Sequence, residues 1–159
     1  YDQSTYQDKD VQDDISWAAG WMYLATKQDD YLTENSKYTS STNDWTKDYC
    51  YANASLGAAI INAEITGNWS YATSCIDSVV NANQNQYYVM NSWGSARHNT
   101  LMQTCALVVS HHKDESGKDY SEWAQKQMNY ILGECMPGRW LERCISNFSA
   151  PPCSIKSDQ

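Results

Sequence analysis

The sequence predicts an all-α protein built from antiparallel helical hairpins. Apolar residues recur at three- and four-residue steps in several segments, which is the spacing of one face of an α-helix. No segment alternates as a strand ladder would, and no glycine-rich phosphate loop is present, so Rossmann and P-loop functions are excluded. The similar spacing of the hairpins is typical of a toroid or a solenoid of paired helices. No visible sequence repeat decides between these two.

The first predicted helix covers residues 13–27. Asp13 and Asp14 open it, and acidic residues are favoured at a helix N-terminus by the dipole. A stretch rich in Ser, Thr and Asn at residues 34–48 predicts a loop, which places Trp45 among hydrophilic neighbours.

Four more segments have helical periodicity: residues 49–66, 69–82, 95–112 and 118–132. Gly67-Asn68 ends the first of them, so the first two should form an antiparallel hairpin. A polar loop at residues 84–91 separates this hairpin from the last two helices.

Composition excludes several classes of partner. The 159 residues include 12 Tyr, 7 Trp and one Phe, and the mean hydropathy is −0.68, so the core should be thin. A net charge of −8 opposes binding to nucleic acid or to anionic lipid, and no run of about 18 apolar residues could span a membrane. Many aromatic residues with few charges suit a neutral, flat ligand such as a sugar.

Cysteines and sequons are compatible with an extracellular location. The six cysteines permit up to three disulfides in an oxidising compartment, and three Asn-x-Ser sequons begin at Asn53, Asn68 and Asn147. No basic and apolar leader precedes Tyr1, so we expect any signal peptide to have been removed. We therefore expect a secreted protein.

The composition changes after Gly133. Residues 1–133 hold the predicted helices, whereas residues 134–159 hold all three prolines, the only Phe and half of the cysteines, without helical periodicity. Two interpretations of this tail stay open: an extension pinned by disulfides, or a misread or spliced end of the coding sequence.

Candidate catalytic residues are few. No Ser or Cys has a nucleophile signature around it. His111-His112 could be metal ligands, but adjacent helical residues point about 100° apart, so cations in a last helical turn are favoured. The pairs Asp13-Asp14 and Asp29-Asp30 could supply the two carboxyl groups of a glycosidase, yet helix capping is the favoured interpretation.

The most informative stretch is residues 92–98, which opens a helix from a loop. Trp93 and Arg97 are four residues apart, so an indole face and a guanidinium could address one sugar ring by stacking and hydrogen bonding. The alternative is that Trp93 packs in the core and Arg97 pairs with an acid on a neighbouring helix. Spacing alone leaves both open.

Three segments carry a resemblance to a known family. Residues 13–26 (DDISWAAGWMYLAT) resemble the D-E-L-x-W-x-A-x-W-L-Y-x-A-T helix of glycoside hydrolase family 9, the cellulases with an (α/α)6 barrel. Trp93-Gly94-Ser95 with Arg97 resembles the W-G-S-x-R segment of this family, and residues 125–133 (QKQMNYILG) are similar to its Q-x-x-Y-I-L-G helix. The motifs occur in the family's order over residues 1–133.

The resemblance implies an endo-β-1,4-glucanase-like hydrolase that inverts configuration. The family's catalytic Asp pair and Glu lie outside the matched region, so the chain would be a partial catalytic domain, inactive alone, with weak stability or self-association. Its implied partners are a β-1,4-glucan, as cellulose or cello-oligosaccharide, and the remainder of the catalytic domain. The alternatives are a non-catalytic carbohydrate-binding helical module and a structural all-α interaction protein.

The same resemblance implies a set of site residues. Trp93 would be a sugar-stacking platform with Arg97 and His98 beside it. An aromatic residue on the loop before the 49–66 helix would add to the site. Tyr51 fits that role by position and Trp45 by side chain.

A structural Ca²⁺ beside Asp13 and Asp14 is the one metal site that the resemblance implies, and no cofactor is required. In many members small residues complete this site with their oxygens. Lys9-Asp10 stands in that place here, so the match to a Ca²⁺ site, which needs six to eight oxygens, is weak.

Overall fold

The computed structural model describes residues 11–38, 49–50, 52–90 and 94–133. The described part contains seven α-helices: α1 (Gln12–Thr26), α2 (Asp29–Asn35), α3 (Ser55–Thr66), α4 (Ser70–Ala82), α5 (Ser95–His111), α6 (Lys113–Ser116) and α7 (Ser121–Leu132). A 3₁₀ turn, Ser36–Tyr38, follows α2. No strand occurs in these ranges, so the all-α prediction is confirmed.

Helix packing gives two groups that share one core. Helix α1 packs on α2 and α3, whereas α5 packs on α7, and α4 and α5 both contact their predecessors in the chain. The core lies between α3, α4, α5 and α7. Its largest wholly buried apolar side chains are Leu56, Ile76, Met102 and Val109.

The predicted loop at residues 34–48 is wrong for its first five residues, which are helical. Asn35 explains the difference, because its amide is buried and donates to the carbonyl oxygens of Ser16 (3.0 Å) and Ala58 (3.2 Å). Its side-chain oxygen accepts from Asn62 Nδ2 at 2.8 Å. These contacts come from distant segments, so tertiary hydrogen bonds fix a polar stretch as helix.

Two predicted helices begin later than expected. Helix α3 starts at Ser55 rather than Tyr49, because Cys50 and Asn53 exchange backbone hydrogen bonds in a tight turn before it. Helix α7 starts at Ser121 rather than residue 118. Tyr120 precedes it and donates its backbone N–H to Ser110 Oγ at 2.7 Å, which ties the start of α7 to α5.

Gly20 lets α1 approach α3 closely. A Cβ at this position would lie 2.4 Å from Ile61 Cγ2 and 3.0 Å from Asn35 Nδ2. No side chain fits in that space, so the contact depends on glycine.

The opposite face of α1 is apolar and uncovered by the described residues. Ile15, Trp21 and Met22 are 43%, 53% and 42% exposed. Val11 extends the same face at 54% exposure. We call these four residues the outer face of α1. Among the described helices, none combines the length and the apolar character that a membrane crossing needs.

Candidate functional site

The start of α5 carries the predicted sugar-binding residues that the structure describes. Trp93, Tyr51 and Trp45 lie outside the described residues, so their predicted roles stay predictions. Arg97 is exposed and His98 is buried, one residue further along the same helix.

Gly94 shapes the position of Arg97. It precedes α5 with φ +69°, a left-handed conformation that glycine adopts without strain, and its carbonyl accepts the N–H of Arg97 at 3.0 Å. A Cβ on Gly94 would lie 3.5 to 3.7 Å from Nη2, Cζ and Nε of Arg97. Three guanidinium atoms at nearly equal distance mean that the group folds back over Gly94 instead of extending away from the chain.

The Arg97 guanidinium also contacts the His98 ring. Nη2 of Arg97 lies 3.0 Å from Nε2 of His98. A guanidinium has only donors, so Nε2 of His98 accepts this hydrogen bond. The tautomer of the ring is therefore assigned from its partner. An exposed guanidinium steadied by a buried ring is suited to donate hydrogen bonds to the hydroxyl groups of a ligand.

Tyr49 is the described aromatic residue that is nearest in sequence to Tyr51. Its ring packs against Gly57, where a Cβ would lie 3.0 Å from it, and meets Trp17 edge to face with centroids 6.3 Å apart. Burial raises the pKa of Tyr49, and Cys105 and Asp14 nearby raise it further. Tyr49 therefore packs within the fold.

Asp13 and Asp14 lie in the first turn of α1, as predicted, but they differ in surroundings. Asp13 is wholly buried and its Oδ2 accepts the backbone N–H of Ala54 at 2.6 Å, which ties α1 to the start of α3. Asp14 is exposed. Asp29 and Asp30 occupy the first turn of α2. The N-cap residues are Val11 and Gln28, and neither makes a side-chain capping hydrogen bond. The capping interpretation of both acidic pairs is therefore wrong, although their place in the first turn suits the helix dipole.

The described residues do not form a calcium shell around Asp13. Oδ1 of Asp13 and Oγ of Ser55 are buried without hydrogen-bond partners, which marks a polar gap at this junction. However, no group of three or more His, Cys, Asp or Glu side chains in the described ranges is placed to hold a metal ion. Ca²⁺ takes six to eight oxygens, backbone carbonyls among them, and Lys9 and Asp10 lie outside the described residues, so the calcium site stays a prediction.

The pair His111-His112 ends α5. His111 lies in the last turn, as the favoured interpretation predicted. The His112 ring stacks on Trp69 with centroids 4.8 Å apart, and its Nε2 lies 3.5 Å from Glu64 Oε1. The ring thus joins the end of α5 to the turn between α3 and α4, a structural role.

A buried amide network beside the start of α5 was not predicted from the sequence. It joins Gln127 of α7 to Asn99 of α5 and to Tyr88 in the preceding loop. The available signal was Gln127, a polar residue at a helical position otherwise occupied by core residues such as Trp123 and Ala124.

Comparison with known proteins decides the family. The family model described as "Glycosyl hydrolase family 9" matches residues 1–139. The chain belongs to glycosyl hydrolase family 9. This places the three motifs and the helical fold in one family, whose catalytic domain is an (α/α)6 barrel.

Two relatives of this family 9 chain are informative. Endoglucanase B of Cellulomonas fimi is 29% identical over 147 residues, which cover 77% of this chain and 14% of that protein. The catalytic domain of Clostridium thermocellum CelT matches with a TM-score of 0.70 and 29% identity over 83% of this chain and 33% of that chain. The chain therefore spans a third of the solved catalytic domain, and the fold prediction of a partial (α/α)6 barrel is confirmed.

Proposed function

We propose that this chain is the glucan-binding part of the catalytic domain of a secreted, inverting endo-β-1,4-glucanase. The observation that carries the proposal is the family 9 match over residues 1–139, together with an exposed Arg97 at the start of α5. The substrate class is a β-1,4-glucan, as cellulose or cello-oligosaccharide.

Arg97 and His98 supply the polar half of sugar recognition in this proposal. The guanidinium donates in a fixed plane, and its contact with the buried His98 ring reduces the conformational freedom that binding would otherwise remove. Trp93 supplies the stacking face, because an indole covers the apolar side of a glucose ring.

Hydrolysis in this proposal depends on carboxylates outside the motifs that match this chain. Inversion requires one carboxylic acid to protonate the leaving oxygen and one carboxylate to activate a water on the opposite side of the ring. Neither Asp13 nor Asp14 suits these roles, because Asp13 holds the start of α3 and Asp14 lies beside it at a helix start. The isolated chain therefore binds glucan without cutting it.

The outer face of α1 supports a larger assembly. An apolar helix face of this kind is covered in a folded domain, so we propose that it packs against the remainder of the catalytic domain.

Titration of the purified 159-residue chain with cellohexaose, followed by tryptophan fluorescence, tests the binding. We expect a saturable change in fluorescence, and Arg97→Ala should weaken the binding. The control Lys27→Ala removes an exposed cation that follows α1 and should leave the binding unchanged. A flat titration would support a structural interaction protein instead. Reducing sugar released from carboxymethylcellulose by the pure chain would refute the inactive-fragment proposal.

A further inference from the structure

Gln127 of α7 is wholly buried, and its side chain forms three hydrogen bonds with residues outside its own helix. Oε1 accepts the backbone N–H of Tyr88 at 2.9 Å and Nδ2 of Asn99 at 2.8 Å. Nε2 donates to the carbonyl of Gln86 at 3.0 Å. One amide therefore contacts both the loop that enters α5 and α5 itself.

Asn99 holds the same loop from the other side. Its Nδ2 also donates to the carbonyl of Tyr88 at 3.0 Å, and its Oδ1 accepts from Gln103 at 2.5 Å. The N–H and C=O of Tyr88 are thus both bound by buried side-chain amides. Asn99 lies two residues after Arg97, so the segment that is held and the candidate sugar-binding residue share one turn of helix.

Two aromatic contacts attach the loop to α7 as well. The rings of Tyr87 and Tyr130 stack with centroids 4.3 Å apart and planes 19° apart. Trp123 Nε1 donates to the carbonyl of Asn83 at 3.1 Å. Helix α7 therefore contacts the segment 83–88 at successive points, and the Gln127 amide is the contact that also reaches α5.

We propose that Gln127 is a positioning residue for glucan binding. It acts through Asn99 and the backbone of Tyr88 to fix the chain entering α5, and thereby the orientation of Arg97. This inference rests on the proposed function of Arg97. An apolar side chain of equal size would fill the space but would remove the acceptor of the Tyr88 N–H and of Asn99 Nδ2, and the donor to the Gln86 carbonyl. These three hydrogen bonds between α7, the loop and α5 would be lost.

Asn35 provides a matched control, because it is an equally buried amide that joins three segments through Ser16, Ala58 and Asn62. Its network lies at the α1–α2–α3 junction, and no residue of α5 or α7 takes part in these three hydrogen bonds. Gln127→Glu and Asn35→Asp each keep the shape and acceptor oxygen of the amide and remove its donor. A general loss of stability should affect both variants, whereas a positioning role should affect only the first.

The test measures three quantities for the wild type, Gln127→Glu, Asn35→Asp and the neutral variant Gln127→Met. They are the urea midpoint, deuterium exchange of residues 84–90, and the dissociation constant for cellohexaose where each variant is folded. We expect Gln127→Met to weaken binding about ten-fold and to exchange faster at 84–90. Gln127→Glu keeps the acceptor of the Tyr88 and Asn99 bonds and loses only the donor to Gln86, so it should weaken binding less. Asn35→Asp should change neither binding nor exchange, although its urea midpoint falls.

Wild-type affinity in a folded Gln127 variant would overturn the positioning role while leaving the proposed function intact. Equal weakening by Asn35→Asp would overturn it too, because it would show a general loss of stability. If the wild type fails to bind cellohexaose, the proposed function falls and this inference falls with it.

Discussion

The carboxylate of Asp13 at the start of α1 accepts the backbone N–H of Ala54, the residue that precedes α3, at 2.6 Å. The two residues are 41 positions apart in the chain, so this hydrogen bond connects the start of α1 to the start of α3. Bonds between an ionised acceptor and a buried N–H are among the stronger hydrogen bonds in proteins.

Replacing Asp13 should destabilise the junction of α1 and α3. Asp13→Ala leaves the N–H of Ala54 buried without its acceptor, so we expect the free energy of unfolding to fall by about 1–3 kcal/mol in urea titrations. Asp13→Asn keeps an acceptor oxygen and should recover most of the loss. The matched control is Asp14→Ala, because Asp14 is the exposed neighbour; an equal loss in this variant would contradict the assignment.

Calcium should not stabilise this chain. The ion requires six to eight oxygens, and Lys9-Asp10 stands where the resemblance to the family implies small residues that would supply some of them. We expect the Tm to be the same in calcium chloride and in a chelator, measured by circular dichroism with magnesium as the control ion. A Tm that rises with calcium in the wild type but not in Asp13→Asn would restore the metal site.

Gly20→Ala should destabilise the packing of α1 on α3. The added Cβ would stand 2.4 Å from Ile61 Cγ2, and overpacking of this kind costs about 1–3 kcal/mol, more than the helix propensity gained. A double-mutant cycle with Ile61→Ala tests whether the clash with Cγ2 is responsible. In the Ile61→Ala background, Gly20→Ala should lower the free energy of unfolding by less. Equal costs in both backgrounds would show that the two residues do not interact.

The protein should lose stability at alkaline pH. Burial raises the pKa of the Cys105 thiol from 9.0 to about 12, and burial with a hydrogen bond to Asp77 raises the pKa of Tyr120. Above pH 9 the unfolded chain releases the thiol proton while the folded chain keeps it. The free energy of unfolding then falls by about 1.4 kcal/mol per pH unit for that group, up to its folded pKa.

Cys105→Ala separates this effect from other alkaline changes. The variant should be less stable at neutral pH because it leaves a cavity, but its urea midpoint should fall less steeply as the pH rises. A slope identical to that of the wild type would rule out Cys105 as a source. Tyr120→Phe should flatten the slope at a higher pH. Cys105 is a free thiol among the described residues, so its proton is available to titrate.

The outer face of α1 should promote self-association of the isolated chain. Ile15→Lys with Met22→Lys places charge on this face, so we expect a shift towards monomer in sedimentation velocity with little change in the urea midpoint. The control pair Asn81→Lys with Thr104→Lys adds the same charge at exposed polar sites. Should both pairs dissociate the protein equally, net charge rather than the apolar face is responsible.

Local periodicity was enough to predict the five long helices. It was not enough for α2, since Asn35 is held by hydrogen bonds from Ser16 and Ala58 that no local pattern reveals. It also placed the start of α3 too early, because the turn between Cys50 and Asn53 depends on backbone pairing rather than on hydrophobic spacing.

Part of the candidate site was likewise predictable from the sequence, and part was not. The motif around Trp93 pointed to Arg97, which the structure places on the surface beside His98. Gln127 begins the Q-x-x-Y-I-L-G segment, but its role was not predicted, because its partners lie 28 and 39 residues away. The sequence does not distinguish a buried amide from an exposed one. A sequence motif therefore indicates a candidate binding residue more readily than it indicates the buried residues that position it.

The Gln127–Asn99 amide pair has a consequence for the evolution of this fold. Nδ2 of Asn99 donates to Oε1 of Gln127, so replacing one of the two amides with an apolar residue costs the other a hydrogen bond until it is replaced as well. Substitutions at these two positions should therefore be inherited as couples. Exchanging α7 between distant homologues should preserve the fold when α5 is exchanged with it, and should disrupt the fold when α7 is exchanged alone.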